Sequence, residues 1–298
     1  TTINDTLTIP ANLGNVVKLS IGNDFIIAHK DDGSIKLWGE GNYGINNLFE
    51  KYINPVQINN GVMHSMALEE NGSVRVWGDS IWNIDDVPAD LQDVVQIEAG
   101  WYNAFALQKN GILRSWGKNK YSQTYIPPLM NKDIVAFSAG AYHTAMLKAD
   151  GTVQVIGEMP LDGQGTPGVF YEAGAINVPE NLGRVVQIAS ADFSVLALLE
   201  DGSVKVWGYC DVMDCEFVLN EKTLDQFPPV KKIIGASPRI YLIFEDGTVD
   251  VFGSLNTIGI YAIPEALQDP LQSSTVALSG GVYHTLAATE DGTAYGFG

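Results

Sequence analysis

Four histidines occur in the chain, and three of them, His64, His143 and His284, follow a glycine by three residues (Gly61, Gly140, Gly281). Imidazole is the side chain best suited to proton transfer or metal ligation near neutral pH. One such slot repeated around a ring would offer a metal or axial-ligand site. The structural reading comes first, however: the slot belongs to a repeat that elsewhere holds Phe25, Asn103, Ser194 and Arg239, and its imidazole is expected to bond backbone at a bend. His29 lies outside the slot and looks incidental. Cys210 and Cys215 share one loop and read either as two loop thiols or as a small disulfide. A zinc site would want four ligands, and no third cysteine or nearby histidine supplies them. Asp162-Gly-Gln-Gly165 lacks the alternating oxygens of a calcium loop. No nucleophile elbow, phosphate loop or H-E-x-x-H motif is present, and the carboxylates are scattered through turns. The sequence therefore predicts no enzyme, no metal and no cofactor.

The aromatic residues are more informative. The two positions before the histidine slot hold Asn23-Asp24, Val62-Met63, Trp101-Tyr102, Ala141-Tyr142, Asp192-Phe193, Ser237-Pro238 and Val282-Tyr283. If the bends are equivalent, these pairs share one face. Trp101, Tyr102, Tyr142, Phe193, Tyr283, Met63 and Asp24 are the candidate partner-binding residues, since rigid aromatics carry much of the energy at interfaces. Loop aromatics between the repeats form a second candidate surface, chiefly Trp82, Tyr121, Phe170 and Tyr171.

Repetition supplies the elements that position these residues. Asp-Gly or Asn-Gly pairs recur with glycines at 33, 72, 111, 151, 202, 247 and 292, spaced by 39, 39, 40, 51, 45 and 45. Each pair reads as a type I′ hairpin turn, with positive φ at both central residues. Before it lie two apolar stretches separated by a bend, as in Val94-Val95 and Ala106-Leu107. After it comes a short strand ending in Trp-Gly, Ile-Gly or Phe-Gly. A residue-Pro step precedes each unit, from Ile9-Pro10 to Ile263-Pro264, and helical periodicity is absent. The chain begins with a proline marker and stops on the seventh Phe-Gly. This predicts an all-β fold: one domain over 1–298, a single seven-bladed β-propeller closed by pairing of the N- and C-terminal segments.

Composition narrows the partners. Apolar residues are 46% and charged residues 17% of 298, a globular balance. The 17 basic against 35 acidic residues give −18, which disfavours nucleic acid and suits a basic partner. No apolar run is long enough to insert into a membrane, and no signal segment opens the chain.

The units Val94 to Gly117 and Ile134 to Gly157 follow the pattern V-V-x-I-x-A-G-x-x-H-x-x-A-L-x-x-D-G-x-V-x-x-W-G. That pattern resembles the regulator of chromosome condensation repeat, degenerate but sevenfold from Val16 to Gly298. The lead-ins Val87-Pro88 and Val178-Pro179 resemble the bacterial short-repeat branch, which includes the β-lactamase-inhibitory protein II type. The resemblance implies a seven-bladed propeller that binds protein. The expected function is a non-enzymatic binding propeller: an inhibitor, adaptor or surface or virion attachment module. The alternatives are a glycan-binding, lectin-like propeller and a guanine-nucleotide-exchange-like factor. A monomer, outside a larger assembly, at an extracellular, cell or virion surface completes the expectation.

Overall fold

A computed structural model describes residues 10, 13–21, 25–39, 55–62, 64–78, 81–157, 178–191, 194–208, 228–236, 239–253, 263–271, 274–280 and 285–297. The predicted terminal pairing and the Cys210/Cys215 loop lie outside them. The described residues form seven three-stranded antiparallel sheets, each built from consecutive strands. The first is β1 (Val16–Ile21), β2 (Phe25–Lys30) and β3 (Ile35–Gly39). The first strands of the other six are β4 (Pro55–Asn60), β7 (Val94–Ala99), β10 (Ile134–Ala139), β13 (Val185–Ser190), β16 (Val230–Ala236) and β19 (Thr275–Gly280). Each of these inner strands packs against the inner strand of the next sheet, and β19 packs against β1.

The apolar residues are organised between sheets rather than within them. Seven buried clusters each join two sheets. One unites Phe105 and Leu113 of the third sheet with Phe137 and Met146 of the fourth. The seventh unites Val16 and Ile26 of the first sheet with Leu286 and Ala288 of the last. A sheet with two apolar faces must cover both, and this arrangement gives the first and last sheets the same two-sided cover as the others.

The hairpins differ from the type I′ turns that the dipeptides suggest. Only the glycine of each pair has positive φ, +79° at Gly33 and +84° at Gly202. Gly33 N–H donates to the Lys30 carbonyl (3.0 Å) and Lys30 N–H to the Ser34 carbonyl (2.9 Å), and the pattern repeats in all seven sheets. These are three-residue loops, a type I turn followed by a left-handed glycine. The Asp or Asn before the glycine keeps ordinary backbone angles and uses its side chain instead. Oδ1 of Asp32, Asn71, Asn110, Asp150, Asp201, Asp246 and Asp291 accepts the N–H two residues on, at 2.8–3.0 Å. The residue type is thus required as an acceptor, not for φ.

Every inner strand carries an irregular register after its first residue, as between Val94 and Gln96. The bulged second residue is turned out of the pleat. Val56, Val95, Val135, Val186 and Val276 are accordingly 48–54% exposed, despite their apolar character.

Candidate functional site

In the third and fourth sheets the bend follows the last residue of the inner strand, at the end of the sheet away from the hairpin. This geometry explains the histidine slot. His64 and His143 are fully buried, the first residues of β5 (His64–Glu69) and β11 (His143–Lys148). The imidazole of His143 lies on the backbone of Gly140: a Cβ there would overlap the ring and stand 2.8 Å from the Ala191 carbonyl of the next sheet. Glycine and histidine three apart therefore form one packing unit. Burial drives the pKa of His64 down to about 4 and that of His143 to about 3. The backbones of Asn103 and Ser194 pull the other way, although no ring nitrogen of either histidine makes a full hydrogen bond. Both rings are neutral at pH 7. In the sixth sheet Arg239 fills the slot, with Nη1 3.2 Å from Oγ1 of Thr285. Among the described residues no group of three or more His, Cys, Asp or Glu could hold a metal ion.

The aromatic candidates come together. Trp101 and Tyr142, on the bends of the third and fourth sheets, have ring centroids 5.9 Å apart. Tyr121 stands edge-on to Tyr142 at 4.8 Å. Lys118 follows β9 (Leu113–Gly117), and its N–H donates to the Tyr102 carbonyl (2.9 Å). This places its Nζ 4.5 Å from the ring centre of Tyr102 and 5.5 Å from that of Trp82. Lys120 Nζ lies 5.1 Å over Tyr121. Trp101, Tyr102 and Tyr142 of the bend set and Trp82 and Tyr121 of the loop set, read from sequence as two surfaces, form one patch across the second to fourth sheets.

Within the patch the roles differ. Trp82 is 51% exposed, and Trp101, Tyr102 and Tyr142 are half-buried. Tyr121, a sequence candidate for contact, is only 5% exposed and acts as the prop behind Tyr142. Trp82 and Asn83 both adopt left-handed backbone, φ +72° and +55°, an uncommon state for a bulky residue. The fixed points of that loop are Ile84, buried and accepting Trp116 Nε1–H through its carbonyl (2.7 Å), and Asp90, paired bidentately with Arg114 (2.8 and 2.9 Å). Just before these anchors the chain holds Trp82 outward. Lys118 and Lys120 were not legible as site residues. Their signal is the lysine directly after Trp116-Gly117, where the strand end returns to the bend. Asp24, Met63, Phe193, Tyr283, Phe170 and Tyr171 lie outside the described residues.

Residues 94–123 match the family described as the regulator of chromosome condensation (RCC1) repeat. Regulator of chromosome condensation from Xenopus laevis is 26% identical over 203 residues, covering 57% of this chain and 47% of that protein. The match thus spans about half the length of the curated relative. The ectodomain of the Arabidopsis thaliana receptor kinase ACR4 superposes with a TM-score of 0.69 at 16% identity, covering 96% of both chains. Yeast RCC1 (Prp20), solved with Kap60 bound, superposes with a TM-score of 0.66 at 14% identity, covering 92% of this chain and 81% of that one. The third of the seven units thus carries a regulator of chromosome condensation repeat, and the chain shares the fold of β-propellers such as yeast RCC1.

Proposed function

We propose that the chain is a closed, single-domain, seven-bladed propeller that binds a protein partner through the patch of Trp82, Trp101, Tyr102 and Tyr142. The observation that carries this is the convergence of exposed and half-buried aromatics on one bend face, two of them under Lys118. Rings fixed by neighbours lose little entropy on binding, and aromatic anchors typically dominate interface energies. Trp82 keeps a left-handed backbone while half exposed, as expected where a side chain is held out for contact. The join between first and last sheets supports closure. Structures in the same fold include yeast Prp20, described with Gsp1p, histones and Kap60 as binding partners, so protein binding suits the scaffold.

The test is capture. A photoreactive amino acid at position 82 should crosslink a protein from the native source that the same group at position 71, on the hairpin face, does not. Trp101→Ala and Trp82→Ala should then weaken binding of the purified partner at least tenfold with an unchanged melting temperature. Equal labelling from both positions would overturn the assignment. Saturable binding on a glycan array that is lost in both variants would establish the lectin reading in its place.

A further inference from the structure

The third strand of the third sheet, β9, ends against the bend. It closes on Gly117, where a Cβ would stand 2.8 Å from the Tyr102 carbonyl and 3.0 Å from Cγ1 of Ile84. The next residue is thereby fixed between two elements, the bend of its own sheet and the loop that follows the second sheet. In sequence the residue at this step is Glu40 in the first unit, Asp79 in the second and Glu158 in the fourth. The fifth and sixth units have Tyr209 and Ser254 there. The third unit, with Lys118, is the one that places a cation at this step.

The position of that cation is specific. Lys118 Nζ stands 4.5 Å from the ring centre of Tyr102 and 5.5 Å from that of Trp82, and Lys120 Nζ lies 5.1 Å over Tyr121. A ring face attracts a cation without supplying an oxygen acceptor. None of the ion pairs found among the described residues involves either ammonium, although Asp85 and Asp86 stand exposed on the loop that carries Trp82. Partial burial, and then the charge of Lys120, hold the pKa of Lys118 below the ordinary lysine value.

A partner that covers Trp82 and Tyr102 must also cover the ammonium beside both rings. Taking an ammonium out of water without a counter-charge is strongly unfavourable. A carboxylate, through charge-assisted hydrogen bonds, is the protein group that best offsets this. We propose that the partner segment seated on the aromatic patch is acidic, presenting an Asp or Glu carboxylate to Lys118 and Lys120 beside apolar side chains that meet Trp82, Trp101 and Tyr142. This rests on the patch being the binding surface, and it adds the sign of the contact. The overall charge of −18 acts at long range and favours approach of a basic protein. Close contact is decided by the groups that lose water, and here those groups are cations. A basic segment would have to displace Lys118 from the rings before it could use them.

A phage-displayed library of random peptides of about twelve residues, selected on the intact immobilised chain, is the probe. Binders lost in Trp82→Ala report on the patch. They are expected to be enriched in Asp and Glu, to weaken at least tenfold in Lys118→Met, and to keep most of their affinity in Lys118→Arg. Both variants should melt with the native chain. Patch-dependent binders enriched in Lys or Arg would overturn the proposal while leaving the patch as a binding surface. So would acidic binders indifferent to Lys118→Met. Binders that all survive both Trp82→Ala and Trp101→Ala would remove the patch as the binding surface, and the acidic segment with it.

Discussion

Tyr121 and Tyr142 meet edge to face, with centroids 4.8 Å apart and ring planes at 88°, and only Tyr142 reaches solvent. The loop after the third sheet thus supports a residue on the bend of the fourth. Tyr121→Ala should lower stability by about 2–4 kcal/mol, the cost of emptying a buried aromatic site. Trp82→Gly should leave stability unchanged or raise it by up to about 1 kcal/mol, because glycine relieves the left-handed backbone. Urea unfolding of the two variants checks both. A marked loss in Trp82→Gly would make Trp82 a packing residue.

The hairpin glycines give a graded test. Alanine at Gly202 suffers the left-handed backbone but little crowding, since its Cβ would meet only Pro229 at 3.6 Å. A loss of about 1–2 kcal/mol is expected. At Gly111 the new Cβ would also stand 3.2 Å from the N atoms of Asp133 and Ile134, so Gly111→Ala should cost more. Equal losses would show that neighbouring backbone yields freely.

Repeat number and strand order were legible because each unit repeats its punctuation: a Gly bend, an Asx-Gly turn and an aromatic-Gly end. The turn type was not. Asx-Gly serves both two-residue and three-residue loops, and the difference lies in one further residue, such as Asp31, that local sequence does not mark. The bulge that exposes Val95 was likewise hidden, because Val94-Val95 reads as a buried run. Trp101, Tyr102 and Tyr142 could be placed on one face because they occupy one repeat position. That Trp82 and Tyr121 join them depends on how irregular loops fold back, which repeat arithmetic does not reach.

The buried histidines make stability depend on pH. Their folded pKa values, about 4 for His64 and about 3 for His143, lie below the ordinary value near 6.5. As pH falls below 6.5, the unfolded chain takes protons first. The contribution is therefore complete above pH 6.5 and is lost progressively down to about pH 3, by roughly 3 kcal/mol or more per histidine. Asn103 fills the same slot in the third sheet, so His143→Asn should fold and flatten this dependence. Denaturant unfolding between pH 3 and 8 reads it.

Glu98 acts in the opposite sense. It lies deep on β7, only partly open to solvent, with Oε1 accepting the Ala139 N–H (2.8 Å) and the Ser138 hydroxyl (3.2 Å). Burial raises its pKa to about 7, against the two hydrogen bonds. The protonated form suits the fold, so its contribution is complete below the ordinary value near 4.5 and is lost as pH rises to about 7. Glu98→Gln keeps an acceptor for Ala139 and should stabilise the protein above pH 7 by about 1–2 kcal/mol, discounted for its partial exposure. Below pH 4 it should change little. Stabilisation of equal size at both ends of the range would point to packing rather than charge.

Closure can be tested at the join between first and last sheets. Leu286 is buried with Val16 and Ile26 there, as Leu196 is buried between the fifth and sixth sheets. In a closed ring all seven junctions are equivalent, and no sheet can leave without opening the whole. Leu286→Ala and Leu196→Ala should each cost about 2–4 kcal/mol within a single unfolding transition. In an open array the last sheet would have one neighbour, and its loss would propagate inward as partial unfolding. Leu286→Ala would then split the transition in two, with native-state hydrogen exchange accelerated first in residues 275–297. Leu196→Ala would not show that pattern. A split transition in Leu286→Ala alone would refute the ring, whereas matched single transitions in both variants require the first and last sheets to be held like any other pair.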